Sequence, residues 1–334
     1  MKFVGSKITE KDIGGKVGVL VCNLGTPESY GYWDVRRFLA QFLSDVRVIE
    51  IPKVIWWFIL QIAILSLRPF KSGALYKSVW TKKGSPLMIY SKRLVNKLKK
   101  QSKGKQEYAL AMRYGKPEVD KALLELKNKG CDKLIIIPTF PQYSGTTSAS
   151  VFDAVADTLK RWRWVPSIKF VNGYHSNEKY ISALADSLKP SIKKHKPQKI
   201  VFTYHGIPKR NFDLGDPYYF FCQETTKFVA KKLKLKKSQY LTTFQSRFGP
   251  AEWLKPYTSD KMEELPTKGI KNIVVIAPGF SADCLETIEE IDEENKEIFI
   301  EAGGQKYNYV ECLNDSNSHV KIFQDIVKKQ STSW

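Results

Sequence analysis

His205 and three glutamates, Glu286, Glu290 and Glu294, are the side chains in this chain best suited to move protons and to handle a divalent cation. An apolar run ends in Thr203-Tyr204-His205-Gly206-Ile207-Pro208, so the histidine stands just past a strand where glycine and proline force a turn. An imidazole there projects from the carboxyl edge of a sheet, where open α/β folds bind ligands, and it titrates near neutrality. The glutamates recur every four residues within the stretch 283–294, a dense acidic segment in a chain of net charge +20. A helix would align them on one face, where hard carboxylate oxygens suit the passage of a divalent cation. Glu289, Glu293 and Glu297 are adequately explained as a solvated acidic face. So are His175, His195 and His319 as structural or incidental histidines.

These side chains need a frame, and the frame is written twice. Strand endings Cys22-Asn23-Leu24-Gly25-Thr26-Pro27, then Arg113-Tyr114-Gly115-Lys116-Pro117, then Ile137-Pro138-Thr139-Phe140 mark the first half. The second half repeats the series at His205, at Ser246-Arg247-Phe248-Gly249-Pro250 and at Ala277-Pro278-Gly279-Phe280, with histidine in place of Asn23. Eight β-type runs stand at 17–22, 108–112, 133–137, 168–171, 199–204, 240–244, 272–277 and 307–312, and most are continuously apolar, as strands buried on both faces should be. Amphipathic helical patterns such as 119–129, 180–194 and 223–235 alternate with them. The expectation is α/β: two similar, Rossmann-like, doubly wound domains, each with a parallel sheet of about four strands. The domains are expected at 1–188 and 189–334, with the crossing in the polar, proline-bearing stretch 189–198.

The first half carries a surplus near 50–85, which holds the run Val54-Ile55-Trp56-Trp57-Phe58-Ile59-Leu60-Gln61-Ile62-Ala63-Ile64-Leu65 between Lys53 and Arg68, Pro69 and Lys71. That run is short for a bilayer span and reads as buried, interfacial or re-entrant. Paired tryptophans beside a basic flank favour a lip at a lipid surface over an ordinary core helix. The basic residues gather at 92–105, 189–199 and 227–237 without a nucleic-acid motif, which argues for a solvated or anionic-membrane-facing surface and against nucleic acid. Five widely spaced cysteines without a Cys-x-x-Cys pair point to reduced thiols in a cytosol, with neither a zinc site nor an iron–sulfur cluster. The opening 15 residues have mixed charge and no apolar core, so no leader is expected there. Gly-x-Gly-x-x-Gly and Gly-Lys-Ser/Thr patterns are absent, which leaves nucleotide use unsupported.

The chain resembles the ferrochelatases, which insert ferrous iron into a porphyrin. The likeness rests on Asn23-Leu24-Gly25-Thr26-Pro27, the stretch 38–48, Gly84-Ser85-Pro86-Leu87, Pro141-Gln142-Tyr143-Ser144, His205-Gly206-Ile207-Pro208, Gly215-Asp216-Pro217-Tyr218, Gln245-Ser246-Arg247-Phe248-Gly249 and Asp283-Cys284-Leu285-Glu286-Thr287. It implies a chelatase-like fold, with His205 and Glu286 as the catalytic pair and His205, Glu286, Glu290 and Glu294 as the metal-handling groups. Arg113 and Tyr114 would line the opposite wall. Leu24, Arg68, Lys71, Ser85 and Tyr143 would join them in binding substrate, with Arg68, Lys71 and Ser85 toward the propionates. The resemblance further implies protoporphyrin IX as the acceptor, iron as a substrate with no resident cofactor, and a cytoplasmic enzyme touching the inner membrane peripherally. Cys284 stands where animal members carry histidine, and their cluster-holding cysteine tail is absent. Leu24 replaces the tyrosine of the coproporphyrin-using branch. Coproporphyrin III insertion, cobalt insertion into a reduced tetrapyrrole and non-catalytic porphyrin carriage are the rival readings.

Overall fold

A computed structural model of the chain describes residues 3–5, 13–332 and 334. Most of the opening 15 residues, and with them the expectation drawn from that stretch, lie outside the described residues. Eight parallel strands form two four-stranded sheets: β1 (Lys16–Gly25), β2 (Gln106–Tyr114), β3 (Cys131–Pro138) and β4 (Ser167–Phe170), then β5 (Lys199–His205), β6 (Tyr240–Gln245), β7 (Asn272–Ile276) and β8 (Lys306–Val310). The orders are β2-β1-β3-β4 and β6-β5-β7-β8, the same winding twice. Each expected strand is present, shifted at its ends by a residue or two, or three for β1. Their interiors are dry: Val19, Leu20, Ile135, Ile136, Val201, Phe202, Val274 and Val275 are all fully buried. Runs apolar on both faces are what helices packed on both sides of a parallel sheet demand.

In this order the chain leaves the first strand of each sheet toward one neighbour and later returns on its other side. The switch point therefore falls between the carboxyl ends of β1 and β3, and between those of β5 and β7. Side chains there face a crevice that the winding itself creates. His205 is the last residue of β5, and the segment carrying Glu286 follows β7.

The chain divides into two compact units at different places from 188/189. One comprises 1–139, 145–173 and 323–334, the other 140–144 and 174–322. The stretch 189–198 is no linker: helix Glu178–His195 runs through it with Pro190 inside. Tyr180, Leu184, Ala185 and Leu188 are buried along that helix and hold it together, while the proline falls on its exposed side. The carboxyl-terminal residues belong to the first unit because Lys169 donates to the Gln330 carbonyl at 2.6 Å and lies over the Trp334 ring.

The apolar surplus of the first unit is one continuous helix, Lys53–Val79, 27 residues long. It is α-helical except for a π-helical turn at Ile59–Ile64. By length and composition alone it suffices to cross a membrane, and it runs well past the apolar stretch that marks it in the sequence. Leu60, Leu65, Pro69, Tyr76 and Val79 face inward. Val54, Ile55, Trp57, Phe58, Ile62, Leu67 and Phe70 are exposed. Trp56 differs from its neighbour: it is half-buried, and its indole N–H donates to the Leu43 carbonyl at 2.6 Å.

Candidate active site

The second unit builds its site on the ends of β5 and β6. His205 and Gln245 are paired in register, and the Gly206 N–H donates to the Gln245 carbonyl at 2.8 Å. A Cβ on Gly206 would sit 3.0 Å from that oxygen and 3.0 Å from the Trp253 ring, so any larger residue would make the strand end or the indole give way. The His205 ring is half-buried, its centroid 6.2 Å from that of Trp253 and 6.4 Å from that of Phe280. Nδ1 lies 2.7 Å from the Gly206 carbonyl, which can only accept, so Nδ1 carries the proton. In the neutral ring Nε2 is then the basic nitrogen.

After β7 the chain turns through 278–282 and enters a nine-residue π-helix, Glu286–Glu294. Thr287, Ile291 and Asn295 form its buried row. Residues four apart share a face of a helix, so this row continues past the π-helix into the α-helix that starts at Asn295. Ile291 is fully buried in a cluster with Val201, Met262, Val275 and Phe299, which clamps the row onto the sheet. The carbonyls displaced by the wider turn find other donors: Tyr307 OH reaches the Ile291 oxygen at 2.5 Å and Asn295 Nδ2 reaches the Glu290 oxygen at 2.6 Å. Glu286, Glu290 and Glu294 each precede a member of the buried row. Glu286 and Glu290 are half-buried and Glu294 is exposed, so the carboxylates grade from the strand ends to solvent.

Burial pushes the Glu290 carboxyl above the ordinary glutamate value, against hydrogen bonds from Ser246 and the nearby charge of His205; the Glu286 charge adds to the rise. Glu289 is raised for the same first reason, burial, with Glu294, Glu290, Glu293 and Glu286 adding to it. Gln245, paired with His205 in register, donates from Nε2 to the Glu286 carbonyl at 3.1 Å, so the start of the glutamate helix lies against the ends of β5 and β6. The four expected metal-handling groups do not form a cage. Among the described residues no cluster of three or more His, Cys, Asp or Glu side chains is disposed to hold a resident ion.

Asp283 carries a role that residue type alone does not reveal. It is buried and accepts from Asn314 Nδ2 at 2.6 Å, Tyr309 OH at 2.8 Å, Thr287 Oγ1 at 3.0 Å and the Cys312 N–H at 3.3 Å. It ties the start of the glutamate helix to the loop after β8. Cys284 is buried, and burial first, then the Glu286 charge, drives its thiol far above the ordinary range. That makes it a packing neighbour of Glu286 and a poor nucleophile. Tyr143 is half-buried, in the short segment 140–144 that belongs to this unit.

Arg113 and Tyr114 belong to the first unit, at the end of β2, and share a buried carboxylate. Asp45 accepts from Arg113 Nη2 at 2.5 Å, Tyr114 OH at 2.8 Å and Ser150 Oγ at 2.6 Å. Burial alone would raise the Asp45 carboxyl, yet bonds from Ser150, the Arg47 N–H and Tyr114, with the Arg113 charge, hold it below the usual aspartate value. The Arg113 guanidinium also lies 4.7 Å from the Tyr114 ring centre. Leu24 is half-buried at the end of β1. Ser85 is buried and accepts from Thr26 Oγ1 at 3.0 Å, while Arg68 is half-buried and Lys71 exposed on the long helix. Sequence reading missed Asp45, Asp283 and Ser246. All three sit inside stretches named above, at 38–48, 245–249 and 283–287, but partners 26 to 105 residues away leave no local signal.

Comparison with known proteins bears on these lobes as wholes. The ferrochelatase family model matches residues 16–331. A protein named ferrochelatase 2 from Shewanella oneidensis is 51% identical over 318 residues, covering 94% of this chain and 97% of its own. A ferrochelatase from Pseudoalteromonas atlantica is 44% identical over 341 residues, covering 100% and 94%. Among solved structures, the sirohydrochlorin chelatase SirB of Bacillus subtilis subspecies spizizenii, in complex with cobalt, superposes with a TM-score of 0.58 at 9% identity, covering 94% of each chain. CbiX, described as the terminal enzyme of sirohaem biosynthesis in denitrifying bacteria, gives 0.51 at 11% identity, covering 93% of this chain and 98% of its own. At such identities these two speak for the chelatase fold alone.

Proposed function

The chain belongs to the ferrochelatase family, and from that premise we propose that it inserts ferrous iron into protoporphyrin IX to form protohaem. The enzyme class and the metal-insertion reaction follow from the family; the choice of protoporphyrin IX and the roles below are our reading. Insertion exchanges two pyrrole N–H protons for one dication, so a base must stand over the ring nitrogens and the ion must shed water. His205 is that base. With Nδ1 committed to the Gly206 carbonyl, Nε2 takes a pyrrole proton and the ring becomes an imidazolium. Glu286 takes up the second proton and faces the incoming iron. Glu290 and Glu294 lead the ion inward from solvent, trading water ligands for carboxylate oxygens. Two protons leave as one iron enters, and charge balances at the macrocycle.

Arg113, held by Asp45, and Tyr114 furnish rigid polar surface at the end of β2 for the porphyrin. Leu24 supplies an apolar strand end in place of a hydroxyl, which supports protoporphyrin IX over coproporphyrin III. Arg68, Lys71 and Ser85 are the propionate partners, with Ser85 contributing through a hydroxyl already bonded to Thr26. We place the enzyme in the cytoplasm, touching an anionic membrane through the exposed face of helix Lys53–Val79. The observation that carries the proposal is the tautomer-fixed His205 beside a graded row of carboxylates. Its test is anaerobic mixing of the purified protein with ferrous iron and either porphyrin, followed by absorption. Protohaem should form several-fold faster than the coproporphyrin product; the reverse ranking would reassign the substrate.

A further inference from the structure

Ser246 is one of five described non-glycine residues in the left-handed backbone region, at φ +63°. It sits immediately after β6, where no local rule asks for that conformation. The consequence is visible at Glu290. The Ser246 N–H donates to Oε1 at 2.6 Å and the Ser246 hydroxyl bonds Oε2, so one residue covers both oxygens of one carboxylate. Gln245 backs the fork: Nε2 reaches the Glu286 carbonyl at 3.1 Å and Oε2 of Glu290 at 3.4 Å. Thr203, two residues before His205 on β5, donates to Gln245 Oε1 at 3.0 Å and so fixes which way that amide points.

A carboxylate chelates a cation through the same paired front edge that this fork occupies. We infer that Ser246 is a positioning residue that blocks two-oxygen chelation at Glu290, keeping it a weak, single-oxygen stepping stone for the incoming dication. The inference rests on the proposed inward route of iron along the glutamate row. Passage along a chain of sites requires contacts favourable enough to enter and weak enough to leave. A carboxylate already receiving two strong, directional hydrogen bonds has little left to trap an ion with. The left-handed backbone at residue 246 is then the cost of aiming both donors at once.

The test uses Ser246→Gly and Ser246→Ala in the full chain. Glycine keeps the N–H and is at ease at positive φ, so it isolates the hydroxyl and protects folding; alanine removes the same atom without relieving the backbone. Co²⁺ binding to the porphyrin-free protein is followed by calorimetry, and iron insertion into protoporphyrin IX by steady-state rates. Both variants should bind Co²⁺ about tenfold more tightly, with the KM for iron and kcat falling together. A merely structural serine would leave Co²⁺ affinity unchanged or weaken it, and either result overturns the inference. Tightening confined to Ser246→Ala overturns it too, because the effect would then come from the backbone. Wild-type protein that binds Co²⁺ yet metallates no porphyrin would defeat the proposed function instead, with the Co²⁺ comparison still deciding the role of the fork.

Discussion

At the scale of single residues, the proposed chemistry depends on which nitrogen of His205 carries the proton. The Gly206 carbonyl settles it, and a glycine there spares the strand end and the Trp253 indole a close contact. His205→Ala should retain porphyrin binding, read by fluorescence quenching, and lose about 10²–10⁴-fold in insertion rate, the usual yield of a positioned base. Turnover within a few-fold of wild type would remove His205 from the chemistry. The histidine and Glu286 were legible in the sequence because strand-end punctuation and a charge anomaly mark them locally. Asp45, Asp283 and Ser246 were not, since each acts on a side chain distant in the sequence or through a backbone conformation that composition does not encode.

At the scale of elements, the helices Lys53–Val79 and Glu286–Glu294 differ in how well pattern predicts them. The spacing of four along Glu286, Glu290 and Glu294 marked a helical segment, and each of the three precedes a buried residue, Thr287, Ile291 or Asn295. It did not reveal the π-helical winding, because a spacing of four is equally natural on an α-helix. In the helix Lys53–Val79, pattern marked an apolar stretch but not which tryptophan faces out. Trp56 is pinned to Leu43, whereas Trp57, 55% exposed, and Ile62, 70% exposed, are available to lipid. Trp57→Glu combined with Ile62→Lys should lower co-sedimentation with anionic vesicles at least about tenfold, as each large side chain withdrawn from lipid forfeits roughly 1.5–3 kcal/mol. The same change at Trp56 would instead report on folding. Vesicle binding that survives the double replacement would locate the contact elsewhere.

At the scale of the molecule, the double winding was readable because continuous apolar strands and repeated endings are long-range order written locally. The unit boundaries were not: proline and charge at 189–198 imitate a linker, and only burial along Glu178–His195 shows a helix. Stability across pH also belongs to this scale. His319 is buried, and burial first lowers its pKa to about 4, despite an Nδ1–H bond to the Asn314 carbonyl at 2.5 Å. Between pH 6.5 and about 4 the unfolded chain takes up a proton that the folded one refuses. The stabilisation is therefore complete above pH 6.5 and drains away as pH falls through that window, by about 3 kcal/mol at most. Urea unfolding at pH 7 and pH 5 should show this loss, and His319→Gln should flatten the slope. Asn314 also grips Asp283, so acid loosening is expected to begin at the anchor of the glutamate helix.

The wide winding of Glu286–Glu294 makes chain length there a functional variable. Removing a single residue such as Ile288 would change the phase between the glutamates before and after it. Glu290 would swing off its serine cradle and Glu294 off the line, with every carboxylate still present. Single substitutions on its outer side, at Glu289 or Glu293, should therefore be tolerated, whereas an insertion or deletion anywhere in the stretch should not.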